Sequence, residues 1–70
     1  MKKFLVVIEK ARRSYSAYSP DLPGCVATGR TKAEAEKNIR SAIALHLRGL
    51  REDGQRIPVP RAVAEYVAVE

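Results

Sequence analysis

One stretch of this sequence dictates more of the fold than any other, because its start, its buried face and its end are all written locally. Thr31-Lys32-Ala33-Glu34 is a capping box. The Thr31 hydroxyl accepts from the backbone N–H of Glu34, and the Glu34 carboxylate is expected to reach back to the N–H of Thr31. Ala35, Ile39, Ala42, Ile43, Leu47 and Leu50 then recur at helical spacing as one apolar stripe. Lys32, Glu36, Lys37 and Arg40 fall largely outside it. Asp53-Gly54 closes the segment, since Gly54 suits the left-handed position just past a helix. The spacing predicts a helix to about Glu52. Its single stripe has to be covered by the short segments on either side.

Those segments read as strands. Lys3 to Glu9 is rich in β-branched residues and apolar on both parities, as in a central or doubly covered strand. Ser14 to Tyr18 alternates as a second, half-exposed strand beyond a polar turn, Lys10-Ala11-Arg12-Arg13. A four-residue turn would pair Ile8 with Tyr15 and Val6 with Ala17. Phe4, Val6, Ile8, Tyr15 and Ala17 then share one face, and Leu5, Val7, Ser14, Ser16 and Tyr18 the other. Ser19 to Gly24 is a rigid connection: Pro20 and Pro23 fix φ, and Gly24 admits angles other residues avoid. Cys25 to Gly29 is a third short strand, and Glu65 to Val69, reached through Ile57-Pro58-Val59-Pro60, a fourth. The expected fold is a two-layer α+β domain, β-β-β-α-β. Its sheet is mostly antiparallel in the order 3-2-1-4, since a right-handed crossover places the last strand beside the first. One helix covers one face, so the other, with Leu5, Val7 and Tyr18 near its centre, lacks a cover. Such a patch marks a candidate interface.

Size points the same way. A chain of 70 residues makes one domain with a marginal core, burying about 60% of the surface its unfolded form exposes. Small folds are usually stapled by disulfides, a metal or another subunit. Cys25 is the only cysteine and His46 the only histidine, too few for a disulfide or a structural zinc. An efficient core or association with another chain remains, and association, as a homo-oligomer, is the expectation.

The N-terminal run Phe4-Leu5-Val6-Val7-Ile8 ends at Glu9. It is shorter than the about 7–15 apolar residues of a secretory signal and far too short for a membrane span. A cytoplasmic protein without membrane association is expected.

Residue types that carry chemistry are sparse. His46 sits on or beside the helix stripe with no carboxylate or nucleophile placed near it by the sequence, so it reads as a packing or interface residue. Cys25, at a strand start, reads as a packing thiol. The acidic residues are dispersed, without the cluster a two-metal nuclease needs. No enzyme activity, cofactor or metal is expected. The net charge of +5 permits attraction to nucleic acid. Lys10, Arg12 and Arg13 form a basic turn with Tyr15 and Tyr18 nearby as candidate base-stacking rings, and Arg48, Arg51, Arg56 and Arg61 are scattered beyond. Ordinary solvated charge is the alternative reading.

The stretch Tyr18-Ser19-Pro20-Asp21-Leu22-Pro23-Gly24-Cys25, then Thr28-Gly29-Arg30-Thr31 with Glu34-Ala35 opening the helix, resembles the HicB-like antitoxin family. It is similar to that family's signature, a "PDLPGC" turn leading to a "T-x-G-x-T-x-x-E-A" joint between strand and helix. Glu52-Asp53-Gly54 and Ile57-Pro58-Val59-Pro60 are similar to the family's usual exit from the helix, so the matches span residues 18–60. The resemblance implies that residues 1–70 form a single HicB-like domain with a reduced ribonuclease-H-like fold. It also implies a non-catalytic member of a toxin–antitoxin system. Such antitoxins pair with HicA-type toxins, small ribonucleases related to double-stranded-RNA-binding domains, and block their RNA-cleaving surface; many form homo-oligomers. Fuller members carry a C-terminal helix-turn-helix or ribbon-helix-helix segment for operator DNA. None lies in these 70 residues, so direct operator binding is not expected of them. A decoy for a basic toxin would be expected to be acidic, so two alternatives stand beside antitoxin function: nucleic-acid binding, and a stand-alone relative with another partner. The motif residues themselves have sufficient structural explanations as turn and cap residues.

Overall fold

The computed structural model of the protein describes residues 2–70, with Met1 outside them. Three strands, β1 (Val7–Lys10), β2 (Tyr15–Tyr18) and β3 (Val26–Gly29), are followed by one helix, α1 (Lys32–Glu52). The strands form an antiparallel meander in the order β1-β2-β3, packed on one face by α1.

The expected hairpin register is off by two residues. Ile8 pairs with Ala17 and Lys10 with Tyr15. The Ala11 N–H donates to the Ser14 carbonyl at 2.8 Å, so only Arg12 and Arg13 are left to turn the chain. A slip of two preserves parity. Phe4, Val6, Ile8, Tyr15 and Ala17 therefore do share the helix-facing side, where they join Leu22, Cys25, Ala35 and Ile39 in the core. Ladder pairing of the first strand begins at Val7, not Lys3. Its opposite number ends at Tyr18, and the Ser19 hydroxyl then takes over by donating to the Leu5 carbonyl at 2.9 Å.

The helix follows its predicted bounds. Thr31 is the N-cap and accepts from the Glu34 N–H at 3.0 Å. The reciprocal bond differs from expectation: the Glu34 carboxylate accepts from the N–H of Arg30, at 2.7 Å, not from that of Thr31. Arg30 follows the last ladder residue, Gly29, and so has an N–H outside the sheet pairing. At the other end Gly54 takes φ +70. The Gly54 N–H donates to the Arg51 carbonyl and the Gln55 N–H to the Leu50 carbonyl, the paired bonds of a Schellman cap.

The fourth strand is absent among the described residues. Residues 55–70 have no regular secondary structure, and Val63, Tyr66, Val67 and Val69 are among the most exposed apolar side chains. The expected order 3-2-1-4 is thus corrected to a three-stranded sheet, which lacks the parallel return strand that a ribonuclease-H-like arrangement needs. Alternation supplied a strand-like pattern at Glu65–Val69, but no strand edge is paired with it, and a strand is stable only against a partner. The radius of gyration, 13.6 Å, exceeds the about 11 Å of a compact chain of this length, in keeping with an arm that leaves the packed body.

Candidate interaction face

The motif turn is built for rigidity. Leu22 and Cys25 are both buried in the core cluster. The Leu22 N–H donates to the Ser19 carbonyl and the Cys25 N–H to the Leu22 carbonyl, both at 3.1 Å, so two tight turns follow one another. Gly24 takes φ +82, a conformation that strains any L side chain. Pro20 and Pro23 stay on the outside, exposed. Burial pushes the Cys25 thiol pKa up, which keeps it protonated and makes it a packing group, not a nucleophile.

Asp21 has a task the sequence did not reveal. Its carboxylate accepts from the backbone N–H of Arg61 at 3.2 Å and of Ala62 at 3.1 Å, clamping the root of the C-terminal arm to the turn. Nothing in local spacing signals a contact across forty residues. Thr28 and Gly29 form the joint with the helix. The Thr28 carbonyl accepts from the Asn38 side-chain amide at 2.7 Å. A Cβ on Gly29 would lie 2.8 Å from the Glu34 carbonyl carbon and 2.9 Å from the Ala35 Cα. Glycine here lets the helix start rest directly on β3, with Ala35 fully buried beneath it.

The sheet face turned away from α1 carries the candidate interface. Val7 pairs with Tyr18, and Tyr18 with Val26, so the three side chains form one apolar row across all three strands. Leu5 lies beside that row by alternation and is half-buried, like Val7, whereas Tyr18 is 40% and Val26 67% exposed. The next row, Glu9, Ser16 and Thr28, is polar. The apolar patch therefore sits at one end of the face and not at its centre. Val26 is the member that sequence reading missed. Its place depends on the β2–β3 register, which neither strand specifies locally.

The nucleic-acid candidates are not brought together. Lys10, Arg12 and Arg13 are exposed at the tip of the first hairpin, but Tyr15 packs against the core on the helix side, where its ring cannot serve as a stacking platform. Tyr18 projects from the opposite face. Tyr15 pairs with Gly29, and Gly29 abuts Ala35, so the basic turn lies near the start of α1. Arg48 and Arg51 lie on the far half of the helix, about 20 Å further along at the α-helical rise. Lys37 and Arg40 lie between them, and Lys37, Arg40, Arg48 and Arg51 recur at helical spacing on one exposed side of α1, away from the hairpin tip. His46 is half-buried on the helix. Among the described residues, no group of three or more His, Cys, Asp or Glu side chains could hold a metal ion. No helix is long and apolar enough to cross a membrane.

Comparison with known proteins decides what kind of chain this is. The family model of the HicB-like antitoxin of bacterial toxin–antitoxin systems matches residues 4–70. The chain belongs to the HicB-like antitoxin family. A UPF0150 protein of Thermoplasma acidophilum is 38% identical over 68 residues, covering 96% of both chains. A UPF0150 protein of Helicobacter pylori is 47% identical over 47 residues, 67% of this chain and 65% of that one. An uncharacterised protein of Haemophilus phage HP1, from the rep–hol intergenic region, is 36% identical over 62 residues. This HicB-like chain aligns over 89% of its own length with 47% of the phage protein. Among solved structures, a chain of the HicA3 and HicB3 toxin–antitoxin complex superposes with a TM-score of 0.65 at 31% identity, covering 83% of this chain and 72% of that one. The family is one of antitoxins of bacterial toxin–antitoxin systems.

Proposed function

We propose that residues 1–70 act as a single HicB-like domain in the cytoplasm, silencing a HicA-type ribonuclease by covering its RNA-cleaving surface. The observation that carries this reading is the apolar row Val7, Tyr18 and Val26 on the sheet face turned away from α1, with Tyr18 and Val26 exposed and Val7 and neighbouring Leu5 half-buried. An aromatic ring flanked by aliphatic side chains and rimmed by polar Glu9, Ser16 and Thr28 has the composition of an interface centre. The mechanism is steric occlusion, needing no cofactor and no reacting group.

The test is titration calorimetry of the chain against a catalytically inactive HicA-type toxin from the same genome. Tyr18→Ala is expected to weaken binding by about 2 kcal/mol, roughly thirtyfold, as for a central aromatic anchor. Val26→Asp, which buries a charge in the contact, is expected to weaken it at least as much. Circular dichroism should show α1 intact in both variants, since neither side chain belongs to the core. Unchanged affinity in both variants removes the proposed face. Binding to mixed RNA that weakens steeply with salt would favour the nucleic-acid reading instead.

A further inference from the structure

The open flank of the core and the unpaired arm match each other. β1 is hydrogen-bonded to β2 on one side only, so its outer edge presents free backbone N–H and C=O groups. Gly29 seats the start of α1 on β3, and α1 packs most closely on β3 and least on β1. There Phe4, Val6 and Ile8 face Ile39, Ile43 and Leu47 across a groove of about 740 Å³. All but Ile39 are only half-buried. The groove rim carries Lys2, Lys3 and Arg40 against a single carboxylate, Glu36.

Ala62 to Glu70 has what this edge lacks. Its valines and tyrosine are exposed, Tyr66 completely, and no ladder pairs its backbone. Nine residues in extended form reach about 30 Å, more than enough to run along Phe4–Lys10. After Arg61 the arm carries two carboxylates, Glu65 and Glu70, and no cation, opposite in sign to the groove rim. Its direction of departure is held by two devices. Pro58 and Pro60 stiffen the approach in an extended form, and the Asp21 clamp fixes Arg61 and Ala62 at the root. An arm so held has no ladder partner among the described residues, and exchange of an identical element between protomers is a low-cost route to a dimer.

We propose that the Ala62–Glu70 arm of one copy adds as a strand to the free β1 edge of a second copy, closing its groove, and that the exchange is reciprocal in a two-fold dimer. The fourth strand of each sheet is then supplied by the neighbour. The open face with Val7, Tyr18 and Val26 stays outside this contact, so the proposal does not rest on the toxin reading.

Light scattering on the full chain, over a concentration series, tests it with three variants. The unaltered chain is expected to be a dimer. Tyr66→Pro combined with Val67→Pro removes the N–H on whichever parity faces β1, and should reduce dimerisation at least about fivefold to tenfold for each ladder bond lost. It should leave α1 unchanged by circular dichroism, since the arm makes no ladder bond within its own chain. Lys2→Glu with Lys3→Glu should weaken the dimer about tenfold at low salt and less at high salt. Val26→Asp should leave the dimer intact. A chain that stays monomeric at every concentration overturns the proposal, because the arm then serves its own body or none. A dimer indifferent to the arm prolines or to the lysine reversals, or one lost with Val26→Asp, overturns it equally.

Discussion

β2 is bonded along both edges, with Lys10 opposite Tyr15 on one side and Gly29 on the other, whereas the Ala62–Glu70 arm is bonded along neither. Both segments alternate, both contain tyrosine, and both lack the glycines and internal prolines that weaken strands. The difference lies in what surrounds them. β2 is inserted between two strands joined to it by short connections, and its Ala17 is buried under α1. The arm is joined through a proline-rich stretch and is tied down only at its root by Asp21. A strand pattern is therefore a capacity to pair, and the chain's own topology decides whether a partner is within reach.

The sharpest contrast between the two regions should appear on truncating a core anchor. Leu22 is buried to 1% exposure in the turn that feeds β3. Leu22→Ala is expected to cost about 2–5 kcal/mol through lost transfer energy and the cavity left behind. Urea denaturation followed by circular dichroism measures it. A loss below about 1 kcal/mol would mean that the turn can collapse around the smaller side chain and is less rigid than its bonds indicate.

The next effect belongs to the helix start. Thr31→Ala removes the acceptor for the Glu34 N–H and is expected to cost about 1 kcal/mol. Thr31→Ser should restore most of it, because the hydroxyl is what the cap uses. Equal losses in the alanine and serine variants would show that the methyl contact, not the cap bond, matters here.

Which features were legible in the sequence follows from how local they are. The capping box, the helix stripe and the Gly54 cap involve residues within a turn of one another, and the helix ends where they place it. The faces of β1 and β2 were also legible, because parity survives the two-residue slip that the Arg12-Arg13 turn introduces. Neither arginine carries the glycine or asparagine mark that would announce a two-residue turn, so the register itself was not readable. Leu5, Val7 and Tyr18 could be assigned to the open face by alternation. Val26 could not join them without the β2–β3 pairing, nor Asp21 the arm without a contact spanning the whole helix. The fourth strand was expected from local alternation, and it is not formed among the described residues because alternation does not supply a pairing partner.

The smallest effect should come from the arm. Tyr66→Ala removes a large aromatic side chain, yet in dilute solution, where single chains prevail, it is expected to change unfolding free energy by less than about 0.5 kcal/mol. Tyr66 is fully exposed and touches no core residue, so there is no buried area to lose. Tyr15→Ala, on the bonded strand and against the core, supplies the control and should cost a few kcal/mol. Raising the protein concentration then sharpens the comparison. If the arm pairs with β1 of a second copy, the Tyr66→Ala penalty should grow with concentration, because folding becomes linked to association by mass action. The Tyr15→Ala penalty would reflect the core at every concentration. A Tyr66 penalty that is large at high dilution would show that the arm already packs within its own chain, and would erase the distinction drawn between the two segments.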